Sequence, residues 1–103
     1  MYRINVYIPE SHLEHVKAAM FNAGAGRIGN YDHCCWQVKG FGQFRPLIGS
    51  NAFIGKLGEV EMVDEFKVEL VCESGVLSLV IAAMKQAHPY EEPAYDVYQP
   101  IEA

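Results

Sequence analysis

Residues 88 to 98 read His-Pro-Tyr-Glu-Glu-Pro-Ala-Tyr-Asp-Val-Tyr, an imidazole followed by a phenol and two adjacent carboxylates set between two prolines. His88, Glu91 and Glu92 offer one nitrogen and two carboxylate donors within one turn of chain, a set that borderline divalent cations accept. Each also has a structural role open to it: His88 suits a helix C-terminus, Pro89 and Pro93 fix the exit path, and the glutamates suit a solvated surface. A second pattern is Gly24, Gly26 and Gly29, spaced G-x-G-x-x-G. That spacing binds a dinucleotide only where a strand feeds the first glycine and a helix begins at the last, so that pyrophosphate meets free helical N–H groups. Both patterns therefore depend on the elements around them.

Tyr2 to Ile8 alternates, with Ile4, Val6 and Ile8 on one face and Arg3, Asn5 and Tyr7 on the other, the period of a half-buried strand. Ser11 and Glu14 are spaced as a capping box, and Leu13, Val16, Met20 and Ala23 recur at helical spacing up to Gly24, a suitable residue to end a helix. Cys34, Trp36 and Val38 alternate with Cys35, Gln37 and Lys39, which predicts a second strand reaching Gly40 with Cys34 inward and Cys35 the more exposed thiol. From about Val60 to Cys72 a third strand turns Phe66, Val68, Leu70 and Cys72 to one side. Ser74 is placed to cap a second helix whose buried stripe is Leu77, Val80, Ile81 and Met84, and Pro89 stops it. Tyr95 to Tyr98 is the last strand. The three glycines thus leave a helix and enter a strand, the reverse of the nucleotide-binding context, and their role is a tight turn.

Strand, helix, strand, strand, helix, strand is the ferredoxin-like split βαβ pattern, an α+β sandwich in which a four-stranded antiparallel sheet carries both helices on one face. Alternating strand direction brings three connections to one end: Pro9 to His12, the loop of residues 40 to 59, and residues 88 to 93. The loop is too long for a hairpin turn and mixes Gly40, Gly42, Gly49, Gly55 and Gly58 with Phe41, Phe44 and Phe53. Loops of that length are commonly functional or disordered, and exposed phenylalanines favour docking over disorder. Arg45 is its anion-binding candidate, or else a solvated arginine at a subunit contact. His12 approaches the same end and completes a candidate metal set with His88 and Glu91. Tyr7, Val71 and Tyr98 fall on the uncovered sheet face, where association would bury them.

Composition narrows the classes. A chain of 103 residues supports one domain. Its formal charge of −5, with basic residues scattered singly, argues against nucleic acid as a partner. No apolar run approaches the about 20 residues of a membrane helix, and MYRINVYIPE has no signal-peptide apolar core, so the expected location is cytoplasmic. Three cysteines, two of them adjacent, read as reduced thiols.

The segments GAGRIGNYDHC, GFGQFRP, SNAFIG and HPYEEPAYDVY, in this order, resemble the small YqfO-type domain inserted in longer members of the Nif-three-like family, and the resemblance covers nearly the whole chain. The HPYE segment also resembles the C-terminal region of CutA divalent-cation tolerance proteins, whose fold is shared with PII signalling proteins. The resemblance implies a single free-standing domain over residues 1 to 103, assembled as a homo-oligomer, with a trimer favoured and ligand sites between subunits. It assigns Arg45, His88, Tyr90, Glu91 and Glu92 to ligand binding. The dinuclear metal site of the family's larger domain does not carry over, because its histidine-rich segments are absent. The expected function is non-enzymatic binding of a small ligand. One alternative is copper or zinc binding of CutA type through His12, His88 and Glu91, with a divalent cation as the only cofactor in view. The other, ranked last, is a metal-dependent enzyme acting on a nucleotide.

Overall fold

The computed structural model describes residues 1 to 101. Strand β1 (Tyr2–Pro9) leads through a 3-10 turn (Glu10–His12) into helix α1 (Leu13–Asn22). Strands β2 (Trp36–Phe44) and β3 (Glu61–Cys72) follow, then a 3-10 turn (Ser74–Val76), helix α2 (Leu77–Ala87) and strand β4 (Tyr95–Tyr98). The strands form one antiparallel sheet in the order β2-β3-β1-β4, the ferredoxin-like arrangement expected.

One alternation in β1 and β3 builds the core. Ile4, Val6 and Ile8 stand opposite Leu70, Val68 and Phe66, and all six point to the helices. There they meet Leu13, Val16 and Met20 of α1 and Val80 and Met84 of α2. Each such side chain withdrawn from water contributes about 1.5–3 kcal/mol before chain entropy is set against it.

Both helices begin differently from expectation. The Ser11–Glu14 capping box does not form: Ser11 Oγ bonds to His12 Nδ1 at 2.8 Å and Glu14 pairs with Lys17 at 3.1 Å. Ser74 likewise does not cap α2, which starts at Leu77 after its own 3-10 turn. In each case that turn carries the chain from an extended strand end into the helix without a side-chain cap. The end of α1 is as read. Gly24 lies at φ +114°, its N–H donates to Phe21 O, and Ala25 N–H donates to Met20 O, the paired bonds of a Schellman cap.

The largest departure is β2. It runs to Phe44 rather than Gly40, so Phe41, Gly42 and Phe44 belong to a long hairpin with β3. Its faces are also reversed. Trp36 and Val38 stand opposite Glu69 and Lys67 on the open side of the sheet, whereas Gln37 and Lys39 face the helices, where Lys17 Nζ donates to Gln37 Oε1 at 2.9 Å. At the sheet edge the helix layer is thin enough for polar side chains to reach out, so alternation alone misassigned the inward face. Cys34 lies outside the strand, and Cys35, not Cys34, packs against the core.

Candidate functional site

The three connections do converge at the end of the sheet that carries the hairpin loop. The segment after α2 is fixed first, by the backbone of one β1 residue. Tyr7 N–H donates to Ala94 O at 3.1 Å, and Tyr7 O accepts from His88 Nε2 at 2.8 Å. His88 Nδ1 in turn accepts from Tyr90 N–H at 3.1 Å. These two bonds select the neutral imidazole protonated on Nε2. Burial lowers the pKa of His88 further, outweighing the opposing effects of the Tyr7 carbonyl and the Glu65 charge.

Tyr90, held by that histidine, reaches across the sheet end. Its hydroxyl donates to Glu65 Oε2 at 2.8 Å, and burial with this bond pushes the phenol well above its usual pKa. Glu65 lies over Gly42 of β2 so closely that any Cβ there would overlap its carboxylate. The glycine therefore permits the carboxylate to reach Tyr90.

The loop of residues 45 to 60 then folds back against the tail. Gly58 N–H donates to Pro46 O at 2.8 Å, closing its base, and Asn51 N–H donates to Glu91 Oε1 at 3.1 Å, tying its tip to the acidic segment. Phe53 inserts between the ring of His12, 5.4 Å away between centroids, and that of Tyr90, 6.4 Å away. A cleft of about 640 Å³ is left between loop, hairpin and tail. Tyr7, Phe44, Arg45, Phe53, Tyr90 and Glu92 are among the residues that line it.

Of the residues proposed from sequence, Arg45, Tyr90, Glu91 and Glu92 are brought together on this cleft. His88 stands behind it and positions Tyr90 instead of facing the space. The candidate metal set is divided. Both ring nitrogens of His88 are taken by backbone groups, Glu91 is engaged by Asn51, and His12 packs edge-on to Phe53. Among the described residues no group of three or more His, Cys, Asp or Glu side chains is gathered as a metal would need. Glu65 and Tyr7 were missed, although Glu65 in the polar register of β3 was the available signal. The thiols contribute nothing here: Cys72 is buried and its pKa raised by burial and then by Glu73.

The fold defines the class, a ferredoxin-like α+β domain with the CutA-like and PII-like arrangement of strands and helices. A GTP cyclohydrolase 1 type 2 homolog of Bacillus subtilis is 49% identical over 100 residues, which is 97% of this chain and 26% of that protein. A solved Bacillus cereus protein related to NIF3 superposes with a TM-score of 0.80 at 42% identity, covering 94% of this chain and 24% of that one. Over nearly its whole length the chain is similar to a segment of these Nif-three-like proteins, in keeping with a YqfO-type small domain. It spans about a quarter of the length of the curated relatives it matches. CutA from Xylella fastidiosa has a TM-score of 0.70 at 16% identity, covering 99% of this chain and 85% of that one, a likeness of fold alone. No family model matches the chain.

Proposed function

We propose that residues 1 to 103 form a single non-enzymatic domain that binds a small ligand at the loop-and-tail cleft, within a cytoplasmic homo-oligomer, a trimer being favoured. The observation that supports this reading is the construction of the cleft. Two segments 40 residues apart in sequence are joined by the Asn51–Glu91 hydrogen bond, and Tyr90 is locked from both sides. Apolar walls with a few fixed polar groups are the usual form of a small-molecule site. The activity in the name of the longer relatives is said of proteins of which this chain matches about a quarter, and the cleft offers no nucleophile with a positioned base.

The test is a fragment screen by amide NMR on the labelled chain. Shifts clustered on residues 45 to 54 and 88 to 94 support the reading, and a library that moves none of them overturns it. A divalent-cation reading keeps one observation in its favour: His12 Nε2 has no hydrogen-bond partner among the described residues and stands at the same end as Glu91. It requires His88 to release Tyr7 or Tyr90. Calorimetric titration with copper and zinc distinguishes it, since binding that His88→Ala leaves unchanged excludes His88 as a ligand.

A further inference from the structure

The walls of the cleft are chemically one-sided. Glu65, Glu91 and Glu92 line it against one guanidinium, that of Arg45. Glu65 and Glu91 each commit one oxygen to the protein, to Tyr90 Oη and Asn51 N, and neither second oxygen has a hydrogen-bond partner among the described residues. Glu92 has no hydrogen-bond or ion partner among the described residues. The aromatic side is also open to a guest. The ring of Tyr90 lies 6.1 Å from Phe44 and 6.4 Å from Phe53 between centroids, at interplanar angles of 57° and 50°, so the rings tilt instead of stacking on one another. A ring face carries the negative end of the aromatic quadrupole, and it attracts the same class of guest as a carboxylate.

From this coincidence we infer that the cleft selects a small organic cation, an ammonium or guanidinium group on an apolar skeleton. Glu92 and the unused oxygens of Glu65 and Glu91 meet the charge, while Phe44, Phe53 and Tyr90 receive the carbon frame. The inference rests on the small-ligand reading above and specifies its chemistry. A bare metal ion would use the carboxylates and leave the rings idle. A polyphosphate would face three carboxylates with one arginine to offset them. Arg45 makes no ion pair among the described residues, so an organic anion is the competing guest.

The experiment titrates the labelled full chain with three probes of one shape, benzylammonium, benzyl alcohol and benzoate. Benzylammonium is expected to bind about tenfold more tightly than the alcohol, shifting amides of Asn51, Phe53 and Glu92. Glu92→Gln, at an exposed position that the fold does not need, is expected to remove most of that preference, and Phe53→Leu to weaken the cation more than the alcohol. Equal binding of all three probes overturns the inference, as does preference for benzoate that is lost in Arg45→Gln; both leave the small-ligand reading standing. Silence from all three overturns the inference alone if the broader library still maps to the cleft, and takes the small-ligand reading with it if the library is silent too.

Discussion

His88 donates through Nε2 to the carbonyl of Tyr7 at 2.8 Å, joining the end of α2 to the central strand β1 across 81 positions of sequence. The bond places the acidic tail beside the hairpin, and the bond that Nδ1 accepts from Tyr90 N–H holds only while the imidazole is neutral. The folded pKa lies below that of the unfolded chain, so the unfolded state binds the extra proton in the window between them. The contribution is complete above about pH 6.5 and is lost as pH falls through the folded value. Urea denaturation between pH 8 and pH 5 should show stability falling on the acid side, and His88→Gln should flatten that part of the profile. A variant profile parallel to the wild type contradicts this role.

Tyr90 and Glu65 form the second fixed contact. Tyr90→Phe removes a hydrogen bond to a carboxylate at a half-buried site and should cost about 1–2 kcal/mol. Gly42→Ala should reproduce much of that loss, because the new methyl group takes the space of the Glu65 carboxylate. In a double-mutant cycle the two losses should fall short of additive. Full additivity would separate the glycine from the phenol.

Gly26 makes a turn that no other residue fits. It sits at φ +78°, and a Cβ would lie 2.7 Å from Phe21 Cε1 and 2.8 Å from Cys34 O. Its N–H also donates to Val71 O at 2.7 Å, fastening the turn to β3. Gly26→Ala should lower stability by roughly 2 kcal/mol or more, since strain and overlap add. Gly29→Ala, with φ +56° and open space around it, should cost less. Thermal melts of the two variants check the order.

The open face of the sheet bears on assembly. A row of register partners crosses it from Trp36 through Glu69 and Asn5 to Asp96. Trp36 is 60% exposed, Val38 45% and Tyr98 44%, while Asn5 Oδ1 is buried without a hydrogen-bond partner among the described residues. A buried acceptor left unpaired is costly, and a donor from a second copy would relieve it. Val71, expected to await burial on this face, is already buried within the chain. Sedimentation at micromolar concentration should show an oligomer, and Trp36→Lys should weaken it by at least about tenfold, on the scale of one large buried side chain. A wild-type monomer would contradict the proposed assembly.

Five of the six regular elements were legible because their periodicity is clean. Ile4, Val6 and Ile8 alternate, Leu13, Val16 and Met20 recur at helical spacing, and Tyr95 to Tyr98 matches β4 at both ends. The extent and facing of β2 were hidden for a physical reason. Gly40 and Gly42 are poor strand formers, Gly42 making room for the Glu65 carboxylate, and as an edge strand β2 places Trp36 outward and Lys39 toward the helices. The candidate site was half legible. Topology and the HPYEEP segment located it, but nothing local to His88 announces that its partner is the carbonyl of Tyr7.

The account depends on the hairpin loop and the proline-bounded tail sharing one cleft, and proton NMR of the aromatic rings tests that contact most directly. Nuclear Overhauser contacts are expected from the ring of Tyr90 to those of both Phe53 and Phe44, with a further contact from Phe53 to His12. They should vanish in Phe53→Leu for that ring alone. Tyr90 contacts confined to His88 and Glu65, with none to Phe53, would mean that the loop lies elsewhere and that the cleft does not exist.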